Sequence, residues 1–197
     1  MKLRFCLAAA LTASPLAMVL GQSQPAGAPP SRNPAAITQA ETEAMAKLRW
    51  MDGAWRGPAV TQTPQGERRV IQTERIGPLL GGTIKVIEGR GFADGRSIGF
   101  NAFGVVSYDP FKQAYEFRSY AQGYAGTFPF EVTPTGYVWS TPAAGGKVRY
   151  TATIAGDSWN EVGDLIAEGK PPVRIFEMNL KRIGDSDWPE AGALTAD

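Results

Sequence analysis

Turn signals recur at short intervals from Ala54 to Ile183, and no helical periodicity separates them. Few folds satisfy that condition. The signals are Pro64-Gln65-Gly66, Gly77-Pro78 with Gly81-Gly82, Asp94-Gly95, Asp109-Pro110, Gln122-Gly123, Thr133-Pro134-Thr135-Gly136, Ala144-Gly145-Gly146, Gly156-Asp157 and Gly169-Lys170-Pro171-Pro172. They cut the region into about ten segments of strand length. Strands joined only by turns pair with their chain neighbours, so the pairing is antiparallel. A long meander must close on itself or form a sandwich, because open edges invite aggregation. The expected fold is all-β: a closed antiparallel up-and-down barrel of about ten strands, with a short N-terminal helix.

The chain of 197 residues is read as one domain with appendages. Met1–Gly21 reads as a signal peptide: Lys2 and Arg4 form a basic start, Phe5 to Leu20 is apolar, and cleavage after Gly21 places Val19 at −3. A membrane anchor is the alternative, but the apolar run is short and Pro15 breaks it. Residues 22–36 are rich in Pro, Ala, Gly and Ser and read as a disordered linker. Residues 37–184 form the barrel domain. Residues 185–197 read as a loose tail, with Trp188 its one anchor candidate. Thr38-Gln39-Ala40-Glu41 has capping-box spacing, and Ala44, Leu48 and Met51 share a helical face. A helix over about 39–50 follows, covering one barrel end. The expected location is the periplasm or outside the cell.

Composition excludes several chemistries. There is no His, and the one Cys is Cys6, inside the signal segment. Ser-His-Asp and Cys-His catalysis are therefore out, as is a His-ligated zinc or haem site. Net charge is +1, and loss of Lys2 and Arg4 makes it −1. No basic surface for nucleic acid is implied. No cofactor, metal or membrane span in the mature chain is expected.

Side chains alternate across a strand, so phase separates inside from outside. Phe176, Met178 and Leu180 share one face, with Arg182 in phase. Val148, Tyr150, Ala152 and Ile154 share another. Ile98, Phe100, Ala102, Val106 and Tyr108 share a third. Three carboxylates fall in phase with apolar positions: Glu74 with Val70 and Ile76, Glu88 with Ile84 and Val86, Glu161 with Trp159 and Leu165. Each either points inward, where desolvation raises its pKa and fits it to orient a ligand or move a proton, or sits wetted or Arg-paired at a strand end. The same choice applies to Arg118 and Tyr120, which share one phase against Tyr115 and Phe117. A barrel this wide leaves room for a small molecule. Trp139, Tyr150 and Trp159 are candidates to line that space, or to fill it as core.

Local motifs add little. Gly95-Arg96-Ser97-Ile98-Gly99 has nucleophile-elbow spacing but lies in an Asp-Gly hairpin of a chain without His. Gly89-Arg90-Gly91 falls short of a dinucleotide fingerprint, and Gly145-Gly146-Lys147 short of a P-loop.

Gly53-Ala54-Trp55 resembles the Gly-x-Trp that opens the first strand of lipocalins. The resemblance implies that Trp55 closes one barrel end against an Arg of the last strand, here Arg182. A longer pattern runs Leu48, Gly53-x-Trp55-x-Gly57, Glu74-Arg75, Leu80-Gly81-Gly82, Gly104-x3-Tyr108-Asp109-Pro110 and Phe176-Glu177-Met178-Asn179-Leu180-x-Arg182. It resembles the DUF1579-type family of secreted calycin-like proteins, which implies a closed barrel and no established activity. A more distant resemblance is to nitrobindin-type haem barrels, whose ligating His has no counterpart here. The expected function is binding of a small apolar or amphipathic molecule inside the barrel. The alternatives are a carboxylate-dependent enzyme and a filled barrel with a structural role.

Overall fold

A computed structural model describes residues 33–94, 96 and 98–191. The expected signal peptide and most of the linker lie outside the described residues, as do Gly95 and Ser97. Helix α1 (Pro34–Ala46) and a 3-10 turn (Arg49–Met51) precede ten strands. These are β1 (Gly53–Thr63), β2 (Gly66–Leu79), β3 (Ile84–Phe92), β4 (Ile98–Asp109), β5 (Ala114–Ala121), β6 (Tyr124–Thr133), β7 (Gly136–Ala143), β8 (Gly146–Ala155), β9 (Ser158–Ile166) and β10 (Val173–Gly184). Each strand pairs antiparallel with its chain neighbours, and β1 pairs with β10 to close the barrel.

The turn residues explain the meander. Two-residue turns at Pro64-Gln65, Gln122-Gly123, Pro134-Thr135, Ala144-Gly145 and Gly156-Asp157 join consecutive strands. At Gln122-Gly123 both residues have positive φ, 51° and 86°, which matches the right-handed twist of a hairpin. Gly77-Pro78 departs from expectation. Both residues belong to β2, and the chain turns later, at Leu80–Gly82, where Gly81 and Gly82 take φ of 66° and 87°.

The helix also starts earlier than its capping-box spacing suggests. Asn33 is the N-cap and accepts a hydrogen bond from the Ala35 N–H at 3.1 Å. Pro34 stands at the first helical position, where its missing N–H costs nothing. Thr38 is therefore mid-helix, and residues 34–36 are helical and not linker.

Helix and 3-10 turn fill one end of the barrel. Met45, Leu48 and Met51 join Trp55, Ile76, Val106 and Leu180 in one buried cluster. The Tyr115 hydroxyl reaches the Ala44 carbonyl at 2.9 Å. Trp55, 1% exposed, donates its indole N–H to the Met51 carbonyl at 2.9 Å and meets Trp159 edge to face. Arg182, the cross-strand partner of Trp55, donates to the Asp52 carbonyl at 3.0 Å and to Asp185 at 2.6 Å. It ties the last strand to the entry of the first. Beneath the helix, buried Lys85 pairs with Asp52; burial lowers its pKa and Asp52 opposes that shift.

The described part of the tail folds back on the outer surface. Arg75 lies over the Trp188 ring at 4.5 Å, and the Trp188 carbonyl sits where a side chain at Gly77 would stand.

Candidate functional site

The other half of the barrel is hollow. A cavity of about 420 Å³ runs from Trp159 toward the rim at Thr63, Arg68 and Gln122. Strand phase puts Gln72 and Glu74 of β2, Phe117 of β5, Tyr137 and Trp139 of β7, Tyr150 of β8, Trp159 and Glu161 of β9 and Phe176 of β10 on its wall.

Several glycines make the room. A Cβ at Gly89, the cross-strand neighbour of Glu74, would stand 2.8 Å from the Glu74 carboxylate. One at Gly104 would stand 2.4 Å from the Phe117 ring, and one at Gly163 2.9 Å from the Tyr150 ring. Gly in a strand interior often marks such a close approach.

The aromatics form a continuous wall. Trp139 stacks on Tyr150 with centroids 4.4 Å apart and planes at 10°. Phe117 meets Trp139 edge to face at 5.0 Å, and Phe176 meets Tyr150 the same way at 5.7 Å.

Two carboxylates face this wall. Glu161 is 6% exposed. It accepts the Tyr137 hydroxyl at 2.5 Å and the Trp139 indole N–H at 3.2 Å. Burial raises its pKa, and those two donors oppose the shift. Glu74 is half-buried, the surface it keeps facing the cavity, and accepts the Gln72 amide at 2.7 Å. Burial pushes its pKa up to about 8; Gln72 opposes this, while Glu161 and Glu88 add to it. At neutral pH Glu74 therefore carries a proton. Burial raises Tyr137 well above the usual phenol value, with Glu161 adding, and pushes Tyr150 up to about 12. The Trp159 indole N–H is buried without a completed hydrogen bond. The polar wall is thus carboxyl, amide and phenol.

Three expected site residues face outward. Glu88 is in phase with Val86, but the inward positions of β3 are Lys85, Ile87 and Gly89. Val86 is apolar because it pairs with Gly77 on the outer face, under the returning tail. Burial alone raises the Glu88 pKa, but Arg90 at 2.5 Å and Arg75 at 2.6 Å outweigh it and lower the value overall. Arg118 and Tyr120 are also outside. Arg118 bonds the Tyr120 hydroxyl at 2.7 Å and Thr127 at 3.2 Å, both in the open. Tyr115 points inward but belongs to the filled end, beside α1. Ile98 is half exposed because a bulge between Gly91 and Phe92 shifts its register.

Gln72, Tyr137 and Gly89 escaped the sequence reading. Gln72 shares the phase of Val70 and Glu74, and Tyr137 that of Trp139. Gly89 and Gly91 alternate along one face, a pattern that marks a strand lacking side chains on that side.

No protein-family model matches the chain, and no curated protein matches it. Among the described residues no helix is long and apolar enough to cross a membrane. The crystal structure of Rv2717c from M. tuberculosis is similar in fold, with a TM-score of 0.53 at 14% identity. The match covers 71% of this chain and 96% of that one.

Proposed function

We propose that this barrel binds one small amphipathic molecule in its interior, in the periplasm or outside the cell, and that its kin are the secreted DUF1579-type calycin-like barrels. One observation carries the binding reading: a cavity of about 420 Å³ with an aromatic wall on which Gln72, Glu74, Tyr137 and Glu161 converge. Volume, apolar lining and a few fixed polar groups are the usual attributes of a ligand site. The filled end favours this over a purely structural barrel. Side chains pack solidly around Trp55, yet Gly89, Gly104 and Gly163 withhold side chains from the other half.

The test uses delipidated protein and the neutral apolar fluorophore 1-aminoanthracene. Saturable binding of one molecule per barrel, with quenching of tryptophan emission, is expected. No binding, together with no co-purifying molecule by native mass spectrometry, overturns the reading. Fractionation of a producing bacterium tests location: a mature chain beginning at Gln22 outside the cytoplasm supports it, and uncleaved cytoplasmic protein overturns it.

A second reading has a specific basis. Glu74 is protonated at neutral pH, while two donors on Glu161 oppose the upward pull of burial, so the pair offers two carboxyls in unequal surroundings. Proton-transfer catalysis on the bound molecule requires turnover that Glu74→Gln abolishes. Recovery of every tested ligand unchanged removes this reading.

A further inference from the structure

The cavity holds buried acid without a protein cation. The groups that bond Glu74 and Glu161 are the amide of Gln72, the phenol of Tyr137 and the indole of Trp139, all neutral. Neither glutamate takes part in an ion pair among the described residues. The nearby cations are committed elsewhere: Lys85 to Asp52, and Arg75 and Arg90 to Glu88 on the outer face. Arg68 lines the cavity only at the exposed rim, where it bonds the Gly99 carbonyl. Ionising a buried carboxyl without a cation is costly, so two such groups facing one ligand-sized space point to a partner from outside.

The wall beside the acids suits a particular partner. Stacked Trp139 and Tyr150, flanked by Phe117 and Phe176, present aromatic surface, which attracts cations electrostatically. The space is far larger than a metal ion needs. Among the described residues no group of three or more His, Cys, Asp or Glu could hold one.

We propose that the ligand is an organic cation, an ammonium group seated between Glu74 and Glu161 with its apolar body against the Trp139–Tyr150 stack. This deepens the binding reading and rests on it. A permanent cation favours the ionised form of Glu74. The titratable groups around Glu74 are Glu161 of β9, Glu88 on the outer face of β3 and Tyr137 of β7; its strand neighbours Gln72, Trp55 and Gly89 do not titrate. Cation binding below pH 8 therefore expels a proton, and affinity rises with pH until Glu74 is ionised.

The experiment compares benzyltrimethylammonium with neopentylbenzene, its uncharged isostere, as displacers of 1-aminoanthracene at pH 6 and pH 9. In wild-type protein the cation should act at a concentration at least about tenfold lower at pH 9. Its advantage should shrink at pH 6, and the isostere should show no pH dependence. An isostere equal to or better than the cation at both pH values overturns the proposal. Glu74→Gln and Glu161→Gln should each reduce the cation's advantage; full retention in both folded variants also overturns it. The wild-type comparison decides alone if a variant fails to fold. If 1-aminoanthracene does not bind and no molecule co-purifies, the binding reading falls first, so the two failures are distinguishable.

Discussion

The two halves of this barrel use the same kind of strand for opposite ends. Around Trp55 the interior is filled by Ile76, Val106, Trp159 and Leu180, and Met45 of helix α1 with Leu48 just beyond it completes the packing. In the half that holds Glu74, aromatics such as Phe117 and Tyr150 stand against the glycines Gly104 and Gly163, and space remains. The charged groups differ in the same way. Lys85, at the filled end, has its counter-ion in Asp52. Glu74 and Glu161, in the hollow half, have only neutral donors. The outer face of the same β2–β3 ladder sharpens the contrast, since Glu88 is opposite Arg75 while Glu74 is opposite Gly89. One pleat separates a carboxylate held ionised by two arginines from one held protonated by burial.

The largest expected effect lies at the filled end. Trp55→Ala should destabilise the protein by about 3–5 kcal/mol in denaturant unfolding, because it opens a hole in close packing and removes the bond to Met51. A loss below about 1 kcal/mol would mean that this end is no better packed than the other.

The next effect has the opposite sign. Between its unfolded value and about pH 8, folded Glu74 holds a proton that the unfolded chain has released. Stability contributed through this group therefore falls as pH rises across that window. Glu74→Gln should be more stable than wild type at pH 9 by roughly 3 kcal/mol, allowing for water in the cavity, with the gain vanishing near pH 4. Thermal melts across pH would show it. A Glu74→Gln variant that loses stability at pH 9 would place the carboxylate with a cation after all.

Much of this was legible in the chain. The barrel and its strand number follow from turn residues and alternation, which are local properties. Glu74 and Glu161 were also legible, because their apolar phase-mates Ile76 and Trp159 belong to the core. Glu88 was not. Its phase-mate Val86 is buried on the outer face, beneath a tail whose return depends on a contact across more than one hundred residues. Apolar phase marks burial, and burial marks the interior only where nothing packs outside. Gln72 and Tyr137 required knowing which strands face each other across the hollow, which closure decides.

Tyr137→Phe is expected to cost about 2 kcal/mol at neutral pH, because Glu161 loses its shortest hydrogen bond while remaining buried. The penalty should diminish as falling pH protonates Glu161, whose pKa burial raises. Equal loss at every pH would mean that the hydroxyl serves both protonation states of Glu161 alike.

Glu88→Gln should have the smallest effect, about 0.5 kcal/mol, since its arginines are substantially exposed. Here the sign reverses again. The folded pKa is lowered, so the contribution is present above the unfolded value and lost as pH falls. It should also weaken with added salt. A stabilising Glu88→Gln at high pH would erase the contrast between the two faces.

The most direct measurement is a carbon-13 NMR titration of the glutamate side-chain carboxyls, with Glu74 assigned through Glu74→Gln. A carboxyl facing a ligand-sized space without a counter-ion should titrate near pH 8 in the free protein. It should shift downward when benzyltrimethylammonium is added. A Glu74 resonance that titrates in the ordinary carboxylate range, about pH 4 to 5, would contradict the account of the hollow half.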